Sequence, residues 1–126
     1  MVTKKMLKQS EVSIILAFIK EKIPCIQRIG LTGSYATGEQ SPQSDLDIIV
    51  DVKQEEIPAF WEVAEEIREI LINNFLLPVD FIFYDTVVRK SLTKSCWLST
   101  IQAEMYEEML SKVRWLEEGV LNAQNR

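Results

Sequence analysis

The sequence predicts an α/β layered domain, a small sheet covered by helices. Stretches with apolar residues at helical spacing alternate with short runs rich in β-branched residues. No internal repeat, low-complexity tract or linker interrupts that alternation, and 126 residues leave room for one domain, 1–126, with one modest core.

Val12, Ile15, Leu16 and Ile19 fall at helical spacing, with Ile14 and Phe18 broadening the stripe, and predict a helix over 9–22 that Pro24 ends. Residues 25–31 read as a short strand, followed by a polar, glycine-containing stretch over 32–44. Residues 45–52, dense in β-branched side chains, form a second strand. Ile57, Phe60, Trp61, Ala64, Ile67 and Leu71 make one apolar stripe, so a helix is expected over 55–75, with Pro58 tolerated in its first turn and Asn73-Asn74 marking its end. Pro78 opens a third strand, 79–84. After a less patterned stretch, the stripe of Ile101, Met105, Met109, Val113, Leu116 and Val120 predicts a last helix over 99–120, with 122–126 a frayed tail. Periodicity leaves the direction of the strands open.

Composition excludes several chemistries. The hydrophobic fraction is 47% and the charged fraction 26%, ordinary for a soluble globular protein. No apolar run approaches the roughly 20 residues that cross a bilayer, so no membrane association is expected. The lysines before residue 9 precede a segment carrying Glu11 and Lys20 with no small-residue cleavage site, which reads as a helix start and not a signal peptide. A net charge of −5 and the lack of a basic stripe argue against a nucleic-acid partner. A nucleotide substrate stays open, because a bound divalent cation supplies positive charge locally. Cys25 and Cys96 form no CxxC pair and read as reduced thiols of a cytoplasmic protein. There is no histidine, which removes Ser-His-Asp and Cys-His catalysis and imidazole zinc sites. Carboxylates, hydroxyls, amines and metals must carry any catalysis.

The stretch from Gly33-Ser34 to Asp45-Leu46-Asp47 concentrates such groups. On a strand, side chains at i and i+2 leave the same face, their α-carbons roughly 6.5–7 Å apart. Asp45 and Asp47 therefore repel unless something positive lies between them. Ile48-Ile49-Val50 carries the strand into a core, which puts the acids at the sheet edge, where oxygen ligands can hold a hard divalent cation. A solvated surface charge pair is the alternative. Asp51 lies about 13 Å from Asp47 at strand rise and reads as a strand-end charge. Gly33 permits a close backbone turn after the first strand, and Ser34 can offer a hydroxyl and nearby amides to a phosphate. Gly38 is a turn residue or a functional one.

Strand, Gly33-Ser34, ten intervening residues, then Asp45-x-Asp47 opening a second strand resembles the signature of the polymerase-beta-like nucleotidyltransferase superfamily. Within it the chain looks like the minimal nucleotidyltransferases, antitoxin-like members of that superfamily. The resemblance includes Gly38 and Ser44, the serine just before the first Asp, and implies a small mixed sheet flanked by helices. It places a third carboxylate on a following strand, where Asp80 stands between Val79 and Phe81. An Asp in that apolar run is expected either to be buried with a partner or to face solvent from an edge strand. Asp85, past the strand, is a poorer substitute.

The resemblance implies metal-dependent nucleotidyl transfer. Asp45 and Asp47 would hold two Mg2+ ions bridging the triphosphate of ATP. Asp80 would complete the metal site nearer the acceptor and help deprotonate its hydroxyl. Gly33, Ser34 and Ser44 would form the nucleotide-binding set. The expected acceptor is a tyrosine of a HEPN-domain partner, with the chain acting as the antitoxin of a toxin–antitoxin pair. A docking module without catalysis and a stand-alone small-molecule nucleotidyltransferase are the alternatives, and a homo-oligomer stays open. With one domain, the acceptor site is expected to be shallow or supplied by another protein. Phe60, Trp61, Trp97 and Trp115 are read as packing residues, as are Met105 and Met109, with a partner surface the other role open to the two methionines and Trp115. Arg89, Lys90 and Lys94 are read as solvated loop charges, and Arg28 is left open.

Overall fold

The computed structural model describes residues 6–122. In chain order the elements are α1 (Gln9–Lys22), β1 (Ile26–Thr32), the short α2 (Ser34–Thr37), β2 (Leu46–Val52), a single 3-10 turn (Gln54–Glu56), α3 (Ile57–Phe75), β3 (Val79–Phe83), α4 (Tyr84–Ser91), α5 (Trp97–Ser111), β4 (Arg114–Glu117) and β5 (Val120–Leu121). Five strands form one mixed sheet in the order β3-β2-β1-β4-β5. β1 runs antiparallel to β2 and β4, and β2 runs parallel to β3. A parallel pair needs a long crossover, and α3 supplies it.

Alternation along the central strands divides the molecule into two faces. Leu46, Ile48, Val50 and Val52 of β2 enter the main core with Ile29 and Leu31 of β1 and Val79 of β3. α1 and α3 cover this face through Val12, Leu16, Ile19, Phe60, Ala64 and Ile67. Phe60 is fully buried, edge-on to Trp61, Phe81 and Phe83 with ring centroids 5.2–5.3 Å apart. The packing role expected for Phe60 and Trp61 is what the structure shows. Arg68 of α3 ties the helix to the edge strand, its Nε donating to the Val79 carbonyl at 3.1 Å.

The opposite face carries Arg28, Gly30 and Thr32 of β1 beside Asp51, Ile49 and Asp47 of β2. Its far end is closed by structural contacts. Arg28 pairs with Asp51 at 3.3 Å and lies over the rings of Trp115 and Tyr84, 4.1 and 4.8 Å from their centroids. That settles Arg28 and Asp51 as packing and pairing residues. α4 and α5 cover part of this face, burying Val87 and Ala103.

The first two-thirds of the chain follow the sequence reading, and the last third departs from it. Asn73 and Asn74 lie inside α3, which ends at Phe75 with Leu76 in the left-handed conformation. The third strand ends at Phe83, because Tyr84 opens α4, and the stretch with Arg89 and Lys90 is helix and not loop. The helix expected over 99–120 stops at Ser111. Trp115 pairs with Gly30, and a two-residue turn at Glu118-Gly119, both with positive φ, returns the chain as β5. Gly119 was the sequence signal for that turn. Trp97 is not a packing residue, being 75% exposed at the start of α5. Of the expected tail, residues 123–126 lie outside the described residues, while the Asn122 amide donates to the Trp115 carbonyl at 2.8 Å. Among the described residues, no helix is long and apolar enough to cross a membrane.

Truncating the centre of the aromatic cluster tests this packing. Phe60→Ala is expected to lower the unfolding free energy by about 3–5 kcal/mol in denaturant titration.

Candidate active site

Strand pairing brings Thr32, Asp47 and Asp80 into one row across β1, β2 and β3: Thr32 opposes Asp47, and Asp47 stands beside Asp80. Partners in a sheet share a face, so both carboxylates leave the face that α1 and α3 do not cover. Asp45 precedes β2 by one residue and shares the parity of Asp47. Asp45 and Asp80 are exposed, whereas Asp47 is half-buried. Asp80 is thus an edge-strand acid open to solvent, not the buried carboxylate with a protein partner that its apolar neighbours suggested. Burial, then the charges of Asp80 and Asp45, push the Asp47 carboxyl up to about 6.

Gly33 makes the next contact. It lies between β1 and α2 at φ 71°, a conformation that favours glycine. A Cβ placed there would run into Oδ2 of Asp47 and lie 3.2 Å from its Cγ. The Gly-Ser turn is therefore stacked directly on the second acid. Ser34 opens α2, and its carbonyl accepts from Glu39 N at 3.0 Å and Thr37 Oγ1 at 3.3 Å. Its hydroxyl has no hydrogen-bond partner among the described residues, and Ser34 lines a cleft of about 440 Å3. Gly38 takes a left-handed φ of 78° at the end of α2, the turn role. Ser44 accepts from the Ser41 amide at 2.9 Å and holds the loop that delivers Asp45. Ser44 does not line the cleft.

The cleft brings Thr32, Gly33, Ser34 and Asp47 opposite Met105, Glu108, Met109 and Lys112 of the α5 end. Lys112 is the one cation among the described residues of the lining, and Glu108 holds its Nζ at 2.8 Å. The sequence reading missed it. A lone lysine beside acidic residues near a helix end resembles a solvated pair, and only the fold sets it across from Ser34. Arg89, Lys90, Lys94 and Asp85 do not line the cleft. Met105 and Met109 do, so neither is confined to core packing.

Asp45, Asp47 and Asp80 have no ion pair with lysine or arginine among the described residues. Oxygen donors whose mutual repulsion no protein cation relieves suit a hard divalent ion. Among the described residues, no three acidic or thiol side chains are gathered as they stand into a metal-holding cluster. Closure of the set would fall to the exposed Asp45 and Asp80.

Residues 12–116 match the nucleotidyltransferase domain family. The chain is also 39% identical over 71 residues to a putative protein adenylyltransferase of Methanocaldococcus jannaschii, covering 53% of this chain and 70% of that protein. Among solved structures it is similar to a toxin–antitoxin crystallised with AMP-PNP, with TM-score 0.47 and 22% identity over 78% of this chain and 86% of that one. A mutant of the MntA–HpeT toxin–antitoxin gives TM-score 0.45 and 22% identity over 82% of this chain and 87% of that one. The family match spans most of the chain, both faces of the sheet included. The chain belongs to the nucleotidyltransferase domain family, and its activity is nucleotidyl transfer.

The raised Asp47 pKa has a measurable sign. Its folded value, about 6, lies above the ordinary 3.8, so the ionised carboxylate opposes folding. That penalty is complete above pH 6, fades as pH falls through 6, and is gone below 3.8. Solvent screens part of the repulsion at this half-buried group, leaving about 1 kcal/mol at pH 8. Asp47→Asn is expected to raise the thermal midpoint at pH 8 by a few degrees and to leave it unchanged near pH 3.5, read by circular dichroism.

Proposed function

We propose that this chain transfers AMP from ATP to a side-chain hydroxyl of a partner protein, with magnesium, and silences that partner as the antitoxin of a toxin–antitoxin pair. The partner class in this reading is a HEPN-domain protein and the acceptor a tyrosine. The observation that carries the enzymatic part is Asp47, pressed between Gly33 and Asp80 with no ion pair to relieve its charge among the described residues. The printed name of the archaeal relative, a putative protein adenylyltransferase, supports a protein acceptor.

Asp45, Asp47 and Asp80 would hold the metal. When bound, magnesium draws charge from the triphosphate and steadies the oxygens that attack and leave. Ser34 presents its free hydroxyl, with the backbone amides around it, to the β- and γ-phosphates. Lys112 faces the same cleft and exchanges Glu108 for a phosphate oxygen. The acceptor oxygen forms a bond to the α-phosphorus as the P–O bond to the β-phosphate breaks. Pyrophosphate departs with the electron pair of that bond, and the acceptor's proton passes to Asp80 and on to water. Positioning and electrostatics supply the catalysis, which suits a chain without histidine.

The test co-expresses the chain with a HEPN-domain partner and detects AMP on intact proteins by mass spectrometry. Wild-type enzyme is expected to add AMP to the partner. Asp45→Ala and Asp47→Ala should each lower transfer at least a thousandfold with the fold retained. Transfer that persists in the double variant removes the site. Partner inhibition without transfer, equal in wild type and variant, leaves a docking module in its place. Lys112→Ala should raise the KM for ATP about tenfold, the loss of one charge-assisted contact of about 1.5 kcal/mol.

A further inference from the structure

The α5 face that lines the cleft continues beyond it as an apolar stripe. Met105, Met109 and Lys112 belong to the cleft. One and two turns back toward the start of the helix, the same face carries Ile101, Leu98 and Trp97. All three are exposed, Trp97 by 75%, and Met105, which belongs to both cleft and stripe, by 65%. Only Ala103 of this helix is buried. From Met105 to Trp97 the stripe runs about 12 Å at helical rise. Large exposed apolar side chains in a row mark a surface that another molecule covers, and tryptophan and methionine are typical anchors of such contacts.

We propose that this stripe is the docking surface for the protein acceptor. An apolar patch of that protein covers Trp97, Leu98 and Ile101, and a neighbouring hydroxyl side chain enters the cleft past Met105. The proposal rests on the reading that the acceptor is a protein. Continuity decides for this occupant: a molecule lying on the stripe is carried by Met105 to the rim that faces Asp47. The cleft, at about 440 Å3, has the capacity of one drug-sized ligand, so with a nucleotide inside, the acceptor is held from outside. A small-molecule acceptor would leave the stripe uncovered. A second large apolar surface, the groove of Ile14, Phe18, Ile70 and Phe75 between α1 and α3, lies behind the sheet. Nothing bound there can present a hydroxyl to carboxylates on the opposite face.

The test uses the full chain, ATP, magnesium, and the protein found to carry AMP in the co-expression assay, with N-acetyl-tyrosinamide as a small acceptor. Trp97→Ala and Ile101→Glu alter exposed residues outside the cleft. Each is expected to raise the KM for the protein acceptor at least tenfold, while the KM for ATP and the slow transfer to N-acetyl-tyrosinamide stay within twofold. An unchanged KM for the protein acceptor in both variants overturns the docking surface and leaves protein adenylylation standing. Wild-type enzyme that modifies the tyrosine amide and no protein overturns the underlying reading, and the surface with it. A parallel rise in the KM for ATP overturns the proposal too, since it would show a disturbed cleft in place of a lost partner contact.

Discussion

The close approach of Gly33 to Asp47 is the constraint on which the site depends. Antiparallel pairing of β1 with β2 sets Thr32 opposite Asp47, so the residue that follows β1 must turn over that carboxylate. Only a residue without a side chain fits there at positive φ. The turn then places Ser34 in the same cleft as the acid, and the short helix after it sends the chain back toward Asp45. Two motif halves separated by ten residues are thus one object in space. Their spacing reflects the loop that Ser41 and Ser44 close with a hydrogen bond.

Division of labour between the two faces makes this arrangement affordable. The α1–α3 side holds the continuous core, including the aromatic cluster around Phe60. The α4–α5 side has a smaller buried set and leaves a cleft between α5 and the strand ends. Repulsion among the acids weakens the folded state locally, and the distant core absorbs that cost. A site optimised for charge at one place is commonly less stable than its surroundings.

The sequence made much of this legible. β2 could be read because its acids come first and an unbroken β-branched run follows. α1 and α3 could be read because their apolar residues keep one period for several turns. Asp80 was placeable only through family likeness, and the choice between burial and an exposed edge stayed open, since an edge strand is a property of the whole sheet. The C-terminal third was misread for a physical reason. Val113, Leu116 and Val120 satisfy helical spacing, yet Trp115 finds a better partner in Gly30, a contact between residues far apart in the chain. Lys112 escaped notice for the same cause, because its distance from Ser34 exists only once β4 has docked beside β1.

Alternation along Leu46–Val52 has a consequence for how the chain reaches this state. Sliding β2 by a single residue against its neighbours would thrust Asp47 and Asp51 among the side chains of α1 and α3 and turn four aliphatic residues, Leu46, Ile48, Val50 and Val52, out of the core. Few misaligned intermediates could survive such a penalty. The acids that mark this face would already serve, during folding, to proofread the strand that bears them.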